Sequence, residues 1–169
     1  MDATALRTLQ APLKERYRGD PKAALITLKA TGRIDEQAIA CKVETGRALA
    51  VAGLHPATGG SGLELCSGDM LLEALVACAG VTLKAVATAL GVGLTDATVS
   101  AEGDLDFRGT LGVTKDAPVG FAAIRLRFAV KTDAPAETLE QLLKLTERYC
   151  VVYQTIRSGP PVSVTLERV

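Results

Sequence analysis

The chain has 169 residues, 48% of them hydrophobic, and its 19 acidic side chains balance its 19 basic ones. This length predicts one domain with a real core, and the scattered, balanced charges, with only three Phe and three Tyr, disfavour nucleic-acid binding. No apolar run approaches the about 20 residues of a membrane span and the N-terminus has no signal segment, so we expect a cytoplasmic protein.

The first third of the chain predicts a helix followed by three strands. Residues 2–18 place Leu6, Leu9 and Leu13 at helical spacing among charges, which indicates an amphipathic N-terminal helix. The alternating segment "AALITLKATG" predicts a strand, "RIDEQ" a turn, and "AIACKVETG" and "RALAVAG" two further strands.

A glycine-rich loop, "LHPATGGSGLELCSGD", leads into a long predicted helix. We expect that helix to run from about Asp69 to Leu90, with Gly91 as the C-cap and Ser67 or Asp69 as the N-cap. Because it is apolar on all sides, it is expected to be a central helix, buried by a sheet or by a second subunit.

The C-terminal half predicts two strands, a helix and a last strand. The strands are "DATVSAEGDLDF" and "FAAIRLRFAVKTD", separated by the loop "RGTLGVTKDAPVG". Asp133 and Pro135 open a helix whose apolar stripe includes Leu142 or Leu143 and continues through Cys150. After "SGPP" the segment "VSVTLERV" predicts a strand. The whole order indicates an α+β fold with a largely antiparallel sheet, as a single domain over residues 1–169 with an N-terminal helical extension at about 2–18.

Two of the four cysteines carry the functional hypothesis. Cys78 and Cys150 lie far apart in the sequence, each inside a helical pattern. Thiols that meet in the fold can cycle through thiolate, sulfenic acid and disulfide, which is thiol peroxidase chemistry. Each cysteine taken singly fits a small buried hydrophobe equally well. Cys41 is expected in the core, and Cys66 either near the mouth of the site or simply exposed.

Metal and phosphate sites are not predicted. The cysteines show no Cys-x2-Cys spacing and His55 is the one histidine, so zinc is disfavoured and His55 is interpreted as a structural or surface residue. The "GGSG" segment lacks the Gly-Lys-Ser/Thr of a phosphate loop. No cofactor is expected.

Three segments, "HPATGG", "LLEALVACAGVTL" and "ERYCVVYQTI", resemble the OsmC/organic hydroperoxide resistance family, and the resemblance extends over about Leu25 to Val169. The family's second cysteine is usually followed by proline, whereas this chain has Val151 there. The resemblance implies an OsmC-like fold. In it a mostly antiparallel sheet wraps around two central cysteine-bearing helices, in an intertwined homodimer whose active sites lie where the subunits meet.

The resemblance also implies an activity, that of a peroxiredoxin-like hydroperoxide reductase in oxidative stress defence. Its substrates would be organic hydroperoxides or hydrogen peroxide. Cys78 would be the peroxidatic nucleophile, Cys150 the resolving thiol, and an external dithiol the reductant.

Attack on an O–O bond needs a thiolate, so a positive group is expected near Cys78. By resemblance this is an arginine of the first hairpin, with Arg33 the best match and Arg47 its competitor. The family's carboxylate that holds the arginine corresponds to Asp69. Asp69 lies nine residues before Cys78, about 13.5 Å along one helix, so it would act through the arginine or across the dimer, and a helix cap is the alternative. The weak carboxylate match keeps a second hypothesis open, a non-enzymatic protein that binds a small apolar ligand.

Overall fold

The structure is a computed structural model that describes residues 2–5, 7, 8, 10, 11, 15, 31–34, 40–44 and 49–168. The described residues nearest the N-terminus are helical at 3–5, 7, 8, 10, 11 and 15 and are labelled α1. Of the strand predicted over residues 23–32, residues 23–30 lie outside the described residues, as do Leu6, Leu9, Leu13 and Arg47.

Four strands form the first sheet, in the order β1 (Thr31–Ile34), β2 (Ala40–Glu44), β3 (Leu49–Gly53) and β4 (Leu65–Cys66). The first three are antiparallel neighbours, which confirms the predicted hairpin and third strand, whereas β4 runs parallel to β3. Arg33 lies inside β1, paired with Lys42, and not in the turn that the sequence predicted.

The glycine-rich loop between β3 and β4 contains a local turn and one close backbone approach. Pro56–Thr58 form a short 3-10 turn, at whose start the Nδ1 atom of His55 accepts a hydrogen bond of 3.0 Å from the Ala57 N–H. At Gly60 a Cβ atom would lie 1.6 Å from the carbonyl oxygen of Leu54, so the backbone passes where only glycine fits.

Helix α2 (Ser67–Leu90) ends as predicted. Gly91 adopts a left-handed φ of 71°, and its N–H donates to the carbonyls of Ala87 and Thr88 in the last turn. The predicted N-cap is wrong. The cap position belongs to Cys66, without a side-chain hydrogen bond, because the helix starts two residues earlier than expected and takes Ser67 and Asp69 into its first turn. There the Asp69 carboxylate faces the positive end of the helix dipole.

The apolar character of α2 is explained by its place in the fold. By length and composition it could cross a membrane, with a mean hydropathy of 1.8 in its most apolar window. One stripe is buried against the helix α4 (Ala136–Tyr149) and the strand β5 (Thr95–Leu105), although only 22% of that apolar window is buried within the single chain; its residues are Leu75, Ala79, Leu83 and Ala87. Val81, on the opposite face, and Leu71, one turn before Leu75, are exposed.

Strands β5 and β6 (Phe121–Lys131) form the predicted antiparallel pair. The segment between them is not a plain loop. Residues Phe107–Thr110 form the short helix α3, because the Asp106 carboxylate accepts the Arg108 N–H at 3.1 Å and caps the first turn.

The core lies where β6 faces α2 and α4. The centre of this core consists of Leu83, Ala87 and Leu142. Residues of one face of β6 pack around it, and Arg125 and Arg127 are exposed, as the alternation predicted. Of the two leucines left open by the helical stripe, Leu142 is the buried one.

The C-terminal region departs from the sequence-based expectation in two ways. The predicted continuous helix is divided into α4 and α5 (Val151–Ser158), with a break at Cys150. The predicted last strand is wrong, since residues 159–168 have no regular secondary structure. A strand needs backbone partners. This segment forms no ladder with any strand in the described part of the chain. The helices and mostly antiparallel strands nevertheless confirm the predicted α+β class.

Candidate active site at Cys78 and Cys150

Cys78 is held by α2, the most regular element of the fold. Its neighbours Leu75 and Ala79 belong to the buried stripe, while Cys78 itself is half-buried. The α2 helix contacts both α4 and α5. The Cys78 side chain faces the junction of those two helices, because groups of Cys150, Val151 and Val152 act on its thiol.

Cys150 is that junction. Its backbone is extended, with φ −74° and ψ 106°, and its N–H still donates to the Thr146 carbonyl at 3.0 Å, which closes α4. Its carbonyl accepts the Gln154 N–H at 3.0 Å, which opens α5. The Gln154 amide braces the break by donating to the Glu147 carbonyl at 2.7 Å. The Cys150 side chain is 1% exposed.

The break leaves backbone donors free at the start of α5. Since the first intrahelical bond of α5 is donated by Gln154, the N–H groups of Val151, Val152 and Tyr153 have no acceptor within the helix. The amides of Val151 and Val152 lower the pKa of the Cys78 thiol, and those of Val152 and Tyr153 act in the same direction on Cys150.

These contacts lower the pKa of the Cys78 thiol. Burial alone would raise it, but hydrogen bonds favour the thiolate and outweigh that cost. In order of effect the donors are the Val152 N–H, the Cys150 thiol, the Val151 N–H and the Thr82 hydroxyl. The Thr82 hydroxyl has a single hydrogen, which it also directs at the Cys78 carbonyl at 2.8 Å, so it is a shared and weaker donor.

The pKa of the Cys150 thiol is raised. Burial is the main cause, and the hydrogen bond to Cys78 together with the Cys78 charge adds to it, although the amides of Tyr153 and Val152 act in the opposite direction. The pKa of Cys78 is thus lowered and that of Cys150 raised, so Cys78 is the thiol of the pair that ionises first.

The other predicted site residues lie elsewhere or are not described. Asp69 lines a separate cavity of about 370 Å³ together with His55 and Cys66, at the start of α2. The backbone of Arg33 is in β1, but its side chain is outside the described residues. The structure thus brings Cys78 and Cys150 together and does not bring Asp69 to them within the chain.

Cys41 lies in a strand of the first sheet, and His55 contacts neighbouring groups through its ring and its Nδ1 atom. The backbone of Cys41 pairs with Ile34 and Ala52 in the middle of the first sheet. The His55 ring stacks on Phe107, with 4.8 Å between ring centroids and 18° between planes, and its Nδ1 atom caps the 3-10 turn. In the described ranges, no three His, Cys, Asp or Glu side chains gather as metal ligands.

Sequence reasoning missed the backbone amides of α5, which no side-chain motif can reveal. One signal was available. The position after Cys150 is proline in the family that the chain resembles, and proline is favoured at the first position of a helix. That preference indicates a helix start at residue 151 and an exposed amide row beside Cys150.

An apolar groove of about 730 Å³ lies between β6 and the helices α2, α4 and α5. Leu75, one turn before Cys78, and Tyr153, whose amide contacts Cys150, both line it. Arg127 and Arg157 also line it. The groove therefore reaches the elements that carry both thiols.

Comparison with known proteins identifies the architecture. The sequence pattern of the OsmC-like protein family matches residues 60–165. No curated protein sequence matches the chain.

Solved structures with the same fold come from several bacteria. An OsmC-like protein from Mycoplasma pneumoniae superposes with a TM-score of 0.64 at 14% identity, over 78% of this chain and 88% of that one. An organic hydroperoxide resistance protein OsmC from Legionella pneumophila gives 0.60 at 18% identity, over 79% and 90%. An organic hydroperoxide resistance protein from Elizabethkingia anophelis gives 0.62 at 16% identity, over 80% and 91%. At these identities the likeness shows the fold.

Proposed function

This chain belongs to the OsmC-like protein family, and on that premise we propose that it is a thiol-dependent peroxidase that reduces organic hydroperoxides. The observation that carries the proposal is the pairing of Cys78, whose pKa is lowered, with Cys150, whose pKa is raised, at the start of α5. A thiolate is the nucleophile that O–O cleavage requires, and a neighbouring thiol is the partner that resolves the product.

In the proposed cycle the Cys78 thiolate attacks the terminal oxygen of the hydroperoxide. An S–O bond forms, the O–O bond breaks, and the alkoxide leaves as alcohol after taking a proton from solvent. Cys78 is then a sulfenic acid. The Cys150 sulfur loses its proton and attacks the Cys78 sulfur, so that an S–S bond forms and the oxygen leaves as water. An external dithiol reduces this disulfide by exchange and restores both thiols.

Two further predicted residues remain part of the proposal. Arg33 would approach Cys78 as a cation, with Arg47 as its competitor, and Asp69 would orient that guanidinium across a subunit boundary. Asp69 lines a separate cavity at the start of α2, so it would act through the arginine or across the dimer.

The test of the activity is peroxide consumption by the reduced full-length protein. With excess dithiothreitol we expect continuous turnover of cumene hydroperoxide, and without a dithiol about one equivalent per subunit. The apolar groove supports a preference for cumene hydroperoxide over hydrogen peroxide. A consumption rate equal to that of free cysteine at the same pH would refute the proposal.

The assembly that we propose is a homodimer, intertwined as the family resemblance implies, in cytoplasm. Support comes from apolar surface that the single chain leaves uncovered. Val81, 72% exposed, lies on α2 beside the exposed small residues Ala74 and Ala77, which would allow a second helix to approach closely. In the C-terminal segment Val162, Val164 and Leu166 alternate, fully apolar and exposed, as in a strand that pairs with another chain.

Sedimentation equilibrium tests the dimer. The wild type should have twice the 17.6 kDa mass of one chain. Val81→Glu should be largely monomeric, because two carboxylates would be buried without partners at a cost of several kcal/mol. Val113→Glu is the matched control, since Val113 is 69% exposed in a loop, and it should stay dimeric. A monomeric wild type, or equal masses for both variants, would contradict the proposed interface.

A second candidate function uses the same groove for binding, without any reaction at the cysteines. Its volume of about 730 Å³ is large enough for a small apolar ligand, so a non-enzymatic binding protein is the alternative. Binding without any peroxide consumption by the wild type would favour that alternative.

A further inference from the structure

The break between α4 and α5 leaves a backbone carbonyl without its helical donor. In an unbroken α-helix each N–H donates to the carbonyl four residues earlier, so Val151 would donate to the Glu147 carbonyl. The chain instead turns at Cys150, whose ψ of 106° is extended. The helical bonds that flank the turn are those from the Cys150 N–H to Thr146 and from the Gln154 N–H to Cys150. The Glu147 carbonyl therefore needs another donor.

The side chain of Gln154 supplies that donor. Its Nε2 atom donates to the Glu147 carbonyl oxygen at 2.7 Å. The bond is half-buried, so water competes for it less than at an exposed site. The backbone N–H of the same residue donates to the Cys150 carbonyl at 3.0 Å. Gln154 thus joins the last turn of α4 to the first turn of α5 by two hydrogen bonds.

The turn determines how the two thiol-bearing regions meet. The sequence of this region also fits one continuous helix, because the stripe of α4 continues through Cys150. With the turn, both α4 and α5 contact α2, the helix that carries Cys78. Since Cys150 is itself the residue at the turn, straightening the helix would move either Cys150 or α5 relative to α2.

We propose that Gln154 is a positioning residue, which favours the broken arrangement of α4 and α5 over a continuous helix and so keeps Cys150 where it can form a disulfide with Cys78. It acts through the Glu147 carbonyl and takes no part in the chemistry itself. The inference rests on the proposed peroxidase function for its biological meaning, because that disulfide resolves the sulfenic acid. The position of the two cysteines can nevertheless be tested without peroxide.

The test variant is Gln154→Met, which keeps the length and the helix preference of the side chain and removes the donor. The matched control is Gln141→Met, the same change at an exposed residue of α4 whose amide has no hydrogen bond to any described residue. The reduced full-length proteins are treated with diamide. This oxidant is reduced to its hydrazine while the Cys78 and Cys150 thiols give up two electrons and two protons and form an S–S bond.

The rate at which Cys78 and Cys150 become cross-linked, followed by peptide mass spectrometry, should be about fivefold lower in Gln154→Met, since one hydrogen bond no longer opposes the continuous helix. Gln141→Met should react as the wild type does. Alkylation of Cys66 should be unchanged in both variants, and a parallel change there would contradict a local role. Equal cross-linking rates for the two variants would overturn the proposal, as would a wild type that diamide does not cross-link.

A second measurement, by NMR, needs only the wild type. The side-chain amide protons of Gln154 should exchange with solvent at least about tenfold more slowly than those of Gln141, because a half-buried hydrogen bond protects them. Equal exchange rates would overturn the proposal even if Gln154→Met fails to fold. A wild type that forms the cross-link with diamide but consumes no peroxide would refute the peroxidase and leave the role of Gln154 standing.

Discussion

Replacement of Cys78 by serine is expected to abolish peroxide consumption, with a loss of at least about a thousandfold, because a serine hydroxyl at neutral pH is neither ionised nor able to form a sulfenic acid. The reaction in the wild type should also depend on pH. Since the pKa of Cys78 is lowered, the midpoint of the pH–rate profile should lie below the pKa of a free cysteine, and the rate should fall as the pH drops through that midpoint and the sulfur gains its proton. Stopped-flow consumption of cumene hydroperoxide measures both.

Replacement of Cys150 by serine should have a different signature. The Cys78 sulfur would still react once, but its sulfenic acid would persist because no resolving thiol is present. Cys150→Ser should thus consume one equivalent and then react with dimedone, a sulfenic-acid probe. The matched control is Cys66→Ser, since Cys66 lines the separate cavity at the start of α2 and should leave the rate unchanged. Activity retained in Cys78→Ser would overturn the assignment of the nucleophile.

A second large effect is expected in the core. Leu142→Ala should lower the free energy of unfolding by about 2–5 kcal/mol, because Leu142 is 2% exposed and its removal opens a cavity beside Leu83 and Ala87. That loss would be a large part of the stability of a domain of this size.

The neighbouring residue provides the control. Leu143→Ala removes the same atoms from a side chain that is 44% exposed, so it should cost about 1 kcal/mol or less. Urea denaturation monitored by circular dichroism measures both variants at one fixed protein concentration. Equal losses for Leu142→Ala and Leu143→Ala would contradict the position of the core.

Much of the fold was readable from local pattern. The alternation in β6 and the helical period and glycine cap of α2 follow from residues close in sequence, so they could be predicted. The first turn of α2 was less readable, since its start depends on how β4 ends at Cys66 rather than on a capping side chain.

The errors share a cause, which is that the decisive contacts are not local. Cys150 fits the helical stripe of α4, and only the packing of α5 against α2 shows that the chain turns there. The segment after Ser158 alternates as a strand does, but no described strand of the same chain pairs with it.

In the site, too, some features follow from the local sequence and others depend on the fold. The two cysteines could be selected from the sequence because their residue type carries the chemistry. The groups that stabilise the Cys78 thiolate include the backbone N–H groups of Val151 and Val152, which belong to every non-proline residue and leave no trace in composition. The arginine and carboxylate that the family resemblance implies, Arg33 and Asp69, remain predictions.

The most direct measurement is peptide mapping after the reduced protein receives one equivalent of cumene hydroperoxide per subunit and is quenched with an alkylating agent. If the ionised sulfur on α2 and the protonated sulfur at the start of α5 react in sequence, the product is a Cys78–Cys150 cross-linked peptide, two hydrogens lighter than the separate peptides. Consumption of the peroxide with both peptides recovered in alkylated, unlinked form would contradict the account.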